Sequence, residues 1–174
     1  MDNSFFVYLQ QLELIAFFSG YPLIYTGIIF VAGNLRLKNN FISRAVSLLP
    51  FAYALTSTLF LGFELKKISP DFSLENIKHT IQLPYLTIWG LLSIFFWIPA
   101  LSKKKVLSLM HGLVFFMIIV KDLFFHLTDP SLDSNIVRND MKVYLSSIIL
   151  NLGAFITISL ISFLYTCYKR PVLR

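Results

Sequence analysis

Apolar runs of about 20 residues, separated by short charged clusters, dictate what this chain can become, because that is the length a helix needs to cross ~30 Å of hydrocarbon. Five such runs occur, at about Leu14–Ala32, Ala45–Phe63, Leu83–Leu101, Val106–Phe125 and Val143–Cys167. Hydrophobic residues make up 56% of the chain and charged residues 14%. A typical soluble domain has roughly 45–50% and ~25% respectively. A water-soluble core cannot absorb that excess. The expected fold is an all-α, polytopic transmembrane bundle of about five spans, forming a single domain over residues 1–174.

The segments between the runs set the expected topology. Ser102, Lys103, Lys104 and Lys105 alone join the third and fourth runs, which calls for a tight antiparallel hairpin with lysines at its tip. Arg36, Lys38 and Arg44 in the first loop, Lys103, Lys104 and Lys105 in the third, and Lys169, Arg170 and Arg174 in the tail give nine basic residues and no acid on one side. The other side holds Lys66, Lys67, Lys78, Arg138 and Lys142, five basic residues, among eight acids. Because the side richer in Lys and Arg stays in the cytoplasm, the C-terminus is expected inside and, with five spans, the N-terminus outside. The location that follows is a cytoplasmic (inner) or plasma membrane. No basic residue precedes Arg36 and no small-residue cleavage pattern follows the first run, so that run is expected to be retained rather than removed as a signal peptide.

Local signals refine this outline. The first run reads as the membrane part of a helix that begins near Ser4, with Gly20 and Pro22 placed to bend it. Leu74, Ile77 and Ile81 recur at helical spacing, with Glu75 and Lys78 on other faces, which predicts a short amphipathic helix over about 73–81 in the membrane interface. Residues 128–139, with Pro130 and several Asx and Ser residues, read as a polar turn. Tyr21, Tyr25, Tyr53, Trp89 and Trp97 read as headgroup anchors at span ends.

Ionisable groups inside hydrocarbon face protein or water rather than lipid, so they mark where chemistry can sit. On the fourth run, Asp122 lies about 20° and His126 about 60° round the helix from His111, placing all three on one face. His111 is about 9 Å and Asp122 about 26 Å along the helix from Lys105, while Glu64 stands ~30 Å from Arg44. Glu64, Asp122 and His126 are therefore candidate metal ligands at the outer edge. The simpler alternative pairs Asp122 with Lys66, Lys67 or Lys121. His111, Asp122 and Asn151 are candidates for a pore lining or for polar helix contacts. Asn151, near the bilayer midplane, must meet another helix or water. Ser147 and Ala154 extend its stripe, and Ala54, Thr58 and Gly62 form a similar small-residue stripe on the second run.

What is absent narrows the function. The sequence has no Gly-rich phosphate loop, no His-Glu-x-x-His helix, no Gly-x-Ser-x-Gly elbow and no Cys-x-x-Cys pair, and its single cysteine is Cys167. No cofactor is implied, and the net charge of +6 belongs to membrane topology rather than to a nucleic-acid surface. The leading expectation is a non-enzymatic accessory or scaffold module that acts by assembly, with its own copies or a partner. Its basic cytoplasmic face of Arg36, Lys38, Arg44, Lys103, Lys104, Lys105, Lys169 and Arg170 suits an acidic protein or an anionic headgroup. The alternatives are an oligomeric channel lined by the fourth run and a small metal-dependent membrane enzyme.

Overall fold

In a computed structural model, residues 3–34, 40–128 and 134–169 are described, and within them every regular element is helical. The elements are α1 (Asn3–Phe18), α2 (Tyr21–Asn34), α3 (Asn40–Ile68), α4 (Leu74–Thr80), α5 (Pro84–Leu92), a 3₁₀ segment (Ser93–Trp97), α6 (Pro99–Ser102), α7 (Lys105–Thr128) and α8 (Ser134–Lys169). Four stretches are helical, long and apolar enough to cross a membrane: Phe6–Ala32, Ser43–Ile68, Lys105–Phe125 and Met141–Tyr168. The chain is a multi-pass, membrane-embedded helical protein.

Several boundaries differ from the sequence expectation, each for a physical reason. The first crossing starts at Phe6 rather than Leu14, so Gln10, Gln11 and Glu13 lie within it. They are tolerated there because each finds a protein partner. The second crossing runs on to Ile68, carrying Glu64 and Lys67 inside the helix. Residues 134–139, expected in a turn, already belong to α8, while 129–133 fall outside the described residues. At 36 residues α8 is about 54 Å long, well beyond the hydrocarbon thickness.

The third run shows the largest departure. It is not one straight helix but α5, a 3₁₀ turn and α6, separated at Ile98, whose backbone is extended at φ −74° and ψ 123°. Pro99 cannot donate to the preceding turn and disfavours helical geometry in the residue before it, which accounts for the break. α4 is present where the amphipathic pattern placed it, with Ser73 capping it by accepting from the Asn76 N–H. It meets α5 at 92°.

Aromatic side chains fill the centre. Phe18, Tyr21, Tyr53, Phe60, Phe96 and Phe115 are buried together; Phe18 stacks on Phe115 at 4.8 Å and Tyr21 on Tyr53 at 4.1 Å between ring centroids. This corrects the reading of Tyr21, Tyr25 and Tyr53 as headgroup anchors: all three are core residues. Burial of these rings is compatible with the interior because the Tyr21 and Tyr53 hydroxyls reach Ser108 and His111. Trp89 and Trp97 remain partly exposed. Gly90 allows α5 to press onto this core, since a Cβ there would lie 2.7 Å from a Phe18 ring carbon. The outward faces of α7 and α8 stay apolar, with Leu145, Ile149, Leu152 and Ile156 exposed along α8 as a lipid-facing surface requires.

Candidate functional site

Beside the Tyr21–Ser108 and Gln11–Asp122 pairs, three polar constellations stand out among the described residues, and two of them repair interruptions of helical backbone. The first lies at the Ser19–Gly20 break between α1 and α2, which strands main-chain groups far from water. Both are met from α8: the Gly20 N–H donates to Ser147 Oγ at 2.8 Å, and the Phe17 carbonyl accepts from Asn151 Nδ2 at 2.8 Å. Ser147 and Asn151 stand one helical turn apart, the spacing that lets one face meet a donor and an acceptor. Asn151 also donates to the Ser147 carbonyl and accepts from Thr56 Oγ1 of α3 at 3.3 Å, so its amide is fully engaged across three helices. Gly20 is required because α8 passes so close that a Cβ would lie 2.5 Å from the Ile148 amide nitrogen.

His111 organises the second constellation. Its Nε2 lies 2.8 Å from the Trp89 carbonyl, and its Nδ1 lies 2.9 Å from the Tyr53 hydroxyl. A carbonyl only accepts, so Nε2 carries the proton; Nδ1 of the neutral ring is then the acceptor, and Tyr53 donates. The Trp89 carbonyl is available because the chain tightens to 3₁₀ geometry at Ser93, whose N–H bonds to Gly90 and Leu91 instead. The Trp89 indole stacks on the imidazole at 4.7 Å with the planes 3° apart. Ser57 Oγ of α3 donates to the Gly90 carbonyl at 3.1 Å, and Trp97 Nε1 donates to Thr58 Oγ1 at 3.0 Å. His111 thus joins α3, α5 and α7, with both ring nitrogens committed.

The third constellation lies at the end where α1 begins and α3 finishes. Lys67 Nζ touches Glu13 Oε2 at 2.6 Å and Glu64 Oε1 at 2.9 Å, so one ammonium serves two carboxylates. Glu64 is 3% exposed, and neither of its oxygens has a hydrogen-bond partner among the described residues; the Lys67 contact is an ion pair without hydrogen-bond alignment. Gln10 accepts the N–H groups of Gln82 and Leu83 at 2.7 Å each and donates to Thr87 Oγ1, pinning the start of α5 to α1. Beside it is a cavity of about 230 Å³ lined by Phe6, Leu9, Gln10, Glu13, Lys67, His79, Thr80 and Gln82.

The candidate metal ligands are distributed differently from one another. Glu64 is engaged with Lys67, and Asp122 accepts from Gln11 Nε2 of α1. The side chain of His126 lies outside the described residues. Among the described residues, no three His, Cys, Asp or Glu side chains gather as a metal site. Of the small-residue stripe on α3, Ala54 is buried, Thr58 receives Trp97, and Gly62 faces open space. At the opposite end Arg44, Lys103 and Lys104 are exposed; Arg36, Lys38 and Arg170, and the side chain of Lys169, lie outside the described residues. Sequence reasoning missed the roles of Gln10, Gln11, Glu13 and Lys67. Their signal was a set of polar residues flanking Leu12 and Leu14 in an apolar helix, which becomes visible once the first crossing is begun at Phe6.

No family model, no curated protein and no solved structure matches the chain.

Proposed function

We propose that the protein is a small non-enzymatic membrane module that acts by assembly, with its own copies or a partner chain, and presents a basic end to the cytoplasm. The observation that carries this reading is the commitment of the deep polar groups to one another. His111 and Asn151, the interior side chains best suited to line a path or perform chemistry, are spent on backbone groups freed by the breaks near Gly20 and Ser93. A pore lined by His111 draws no support from that arrangement. What is left for partners is the outside of the bundle: long apolar faces on α7 and α8, and the exposed cations Arg44, Lys103 and Lys104.

A fifth crossing by the broken third run belongs to the same reading. Gln10 holds Gln82 and Leu83 beside α1, Ser57 meets Gly90, and Phe51 packs near Trp97 at 6.1 Å, so the run descends antiparallel to α3. Its helical and 3₁₀ residues, Pro84–Trp97 with Pro99–Ser102, extend to about 30 Å, enough to cross with breaks that are covered by protein. The positive-inside rule then sets the Lys103–Lys105 tip and the C-terminus in the cytoplasm and the N-terminus outside. Extraction of native membrane patches followed by mass spectrometry of the intact assembly tests the functional reading. A defined homo-oligomer or a stoichiometric partner chain is expected; a lone monomer with bulk lipid would refute it.

A further inference from the structure

The cavity beside Glu13 has no role in the assembly reading, and its chemistry is specific. We propose that it binds a small primary ammonium compound, with Glu13 as the counter-ion and the amide oxygen of Gln82 as a second acceptor.

Charge sets the sign of the ligand. Glu13 and Glu64 share the single Lys67 ammonium, and of the two carboxylates only Glu13 lines the cavity. An entering ammonium group adds a second positive partner to this carboxylate pair, whereas an anionic group would compete with both carboxylates for Lys67. Lys67 lines the cavity and also touches Glu64, which does not line it, while Glu13 lines the cavity directly. Among the described residues Glu13 meets Lys67 through Oε2, and its Oε1 enters no hydrogen bond. An entering ammonium therefore finds a carboxylate oxygen to accept from it without displacing Lys67.

Size and lining set the class. At about 230 Å³ the cavity is far larger than a bare ion needs, given that a water molecule takes up about 30 Å³ in the liquid, and it suits a body of roughly seven non-hydrogen atoms. A hard divalent ion demands six or more oxygen ligands, and the lining offers one carboxylate with Gln82 and Thr80, the Gln10 oxygen being taken by the Gln82 and Leu83 N–H groups. Phe6 and Leu9 form apolar walls for a short alkyl body, and an aromatic wall also favours a cation. Gln82 donates through Nε2 to the His79 carbonyl, which turns its amide oxygen into the available acceptor. A primary ammonium has the three donors these acceptors require; a quaternary one has none. The same chemistry is supplied by a free amine and by the ethanolamine headgroup of a phospholipid.

The full-length protein in phosphatidylcholine nanodiscs, titrated calorimetrically with ethanolamine and separately with choline, tests the proposal. A second arm measures retention of phosphatidylethanolamine over phosphatidylcholine by mass spectrometry of the intact protein. Ethanolamine binding that choline does not reproduce, weakened at least tenfold by Glu13→Gln, supports a free amine; selective retention of the ethanolamine lipid, lost in the same variant, supports the headgroup. Leu9→Trp, which fills the cavity from a half-exposed position without altering charge, is expected to weaken either arm by a similar factor and serves if Glu13→Gln does not fold. Absence of binding in both arms, or unchanged binding in a folded Glu13→Gln or Leu9→Trp protein, overturns the proposal.

Discussion

Replacing Gly20 by alanine isolates the contact on which the first crossing depends. The added Cβ would lie 2.5 Å from the Ile148 nitrogen and 2.6 Å from the Ser147 carbonyl carbon, both backbone atoms of α8 that no rotamer change can move. Carbon contacts are comfortable at about 3.5 Å, so the α1–α2 corner and α8 must separate by about 1 Å. That separation takes the Gly20 N–H to Ser147 Oγ bond from 2.8 Å to nearly 4 Å, outside hydrogen-bonding range. Overpacking costs about 1–3 kcal/mol, and a stranded buried amide adds about 1–3 kcal/mol. Relaxation shared between the two effects brings the total to roughly 2–5 kcal/mol. Gly27 and Gly62 are internal controls, since nothing lies within 4 Å of a Cβ at either position. Alanine there is expected to be neutral or to stabilise by up to about 1 kcal/mol through helix propensity. Reversible unfolding of the three variants in one detergent–SDS titration measures the differences. A Gly20→Ala protein as stable as the Gly27→Ala and Gly62→Ala proteins would refute the reasoning.

Three further outcomes are expected. Asn151→Leu strands the Phe17 carbonyl and is predicted to destabilise by about 1–3 kcal/mol; in a double-mutant cycle with Ser147→Ala the two should be non-additive, and additive losses would separate their roles. In a nitrogen-15 NMR spectrum, His111 is expected as the neutral tautomer protonated at Nε2, with the Nδ1 resonance moving in Tyr53→Phe; a proton on Nδ1 would reverse the hydrogen-bond assignment. Single cysteines placed at Glu75 and Lys104 in a Cys167→Ser background are expected to label from opposite faces of the membrane, with Lys104 reached from the cytoplasm. Labelling of both from one face would remove the crossing by the broken run of residues 84–102.

How far the sequence is legible depends on whether a feature is carried by local pattern or by long-range meeting. The crossing helices follow from apolar run length, and Gly20 and Pro22 mark the bend in the sequence, although what requires glycine at position 20 is the close approach of α8. α4 is readable from its spacing at Leu74, Ile77 and Ile81. The break at Ile98 has its signal in Pro99, but the 3₁₀ turn before it follows from Ser93, Gly90 and the tertiary partners of their backbone groups. Asn151 is recognisable as a side chain in need of a partner; which partner depends on a carbonyl released 134 positions away. Likewise, the Glu13–Lys67 pair joins residues 54 positions apart, and truncating the first crossing at Leu14 hides it. The tyrosines mislead because amphipathic rings suit both a headgroup belt and a buried site with a hydroxyl partner.

The central claim, that the protein works through what docks on it, is tested most directly by a photo-crosslinking residue placed at Lys104, on the exposed basic tip, in living cells. One or a few adducts of defined protein mass are expected, weakening when Arg44 and Lys103 are replaced by glutamate. Illumination that yields only the uncrosslinked monomer, or a smear insensitive to those charge reversals, would contradict it.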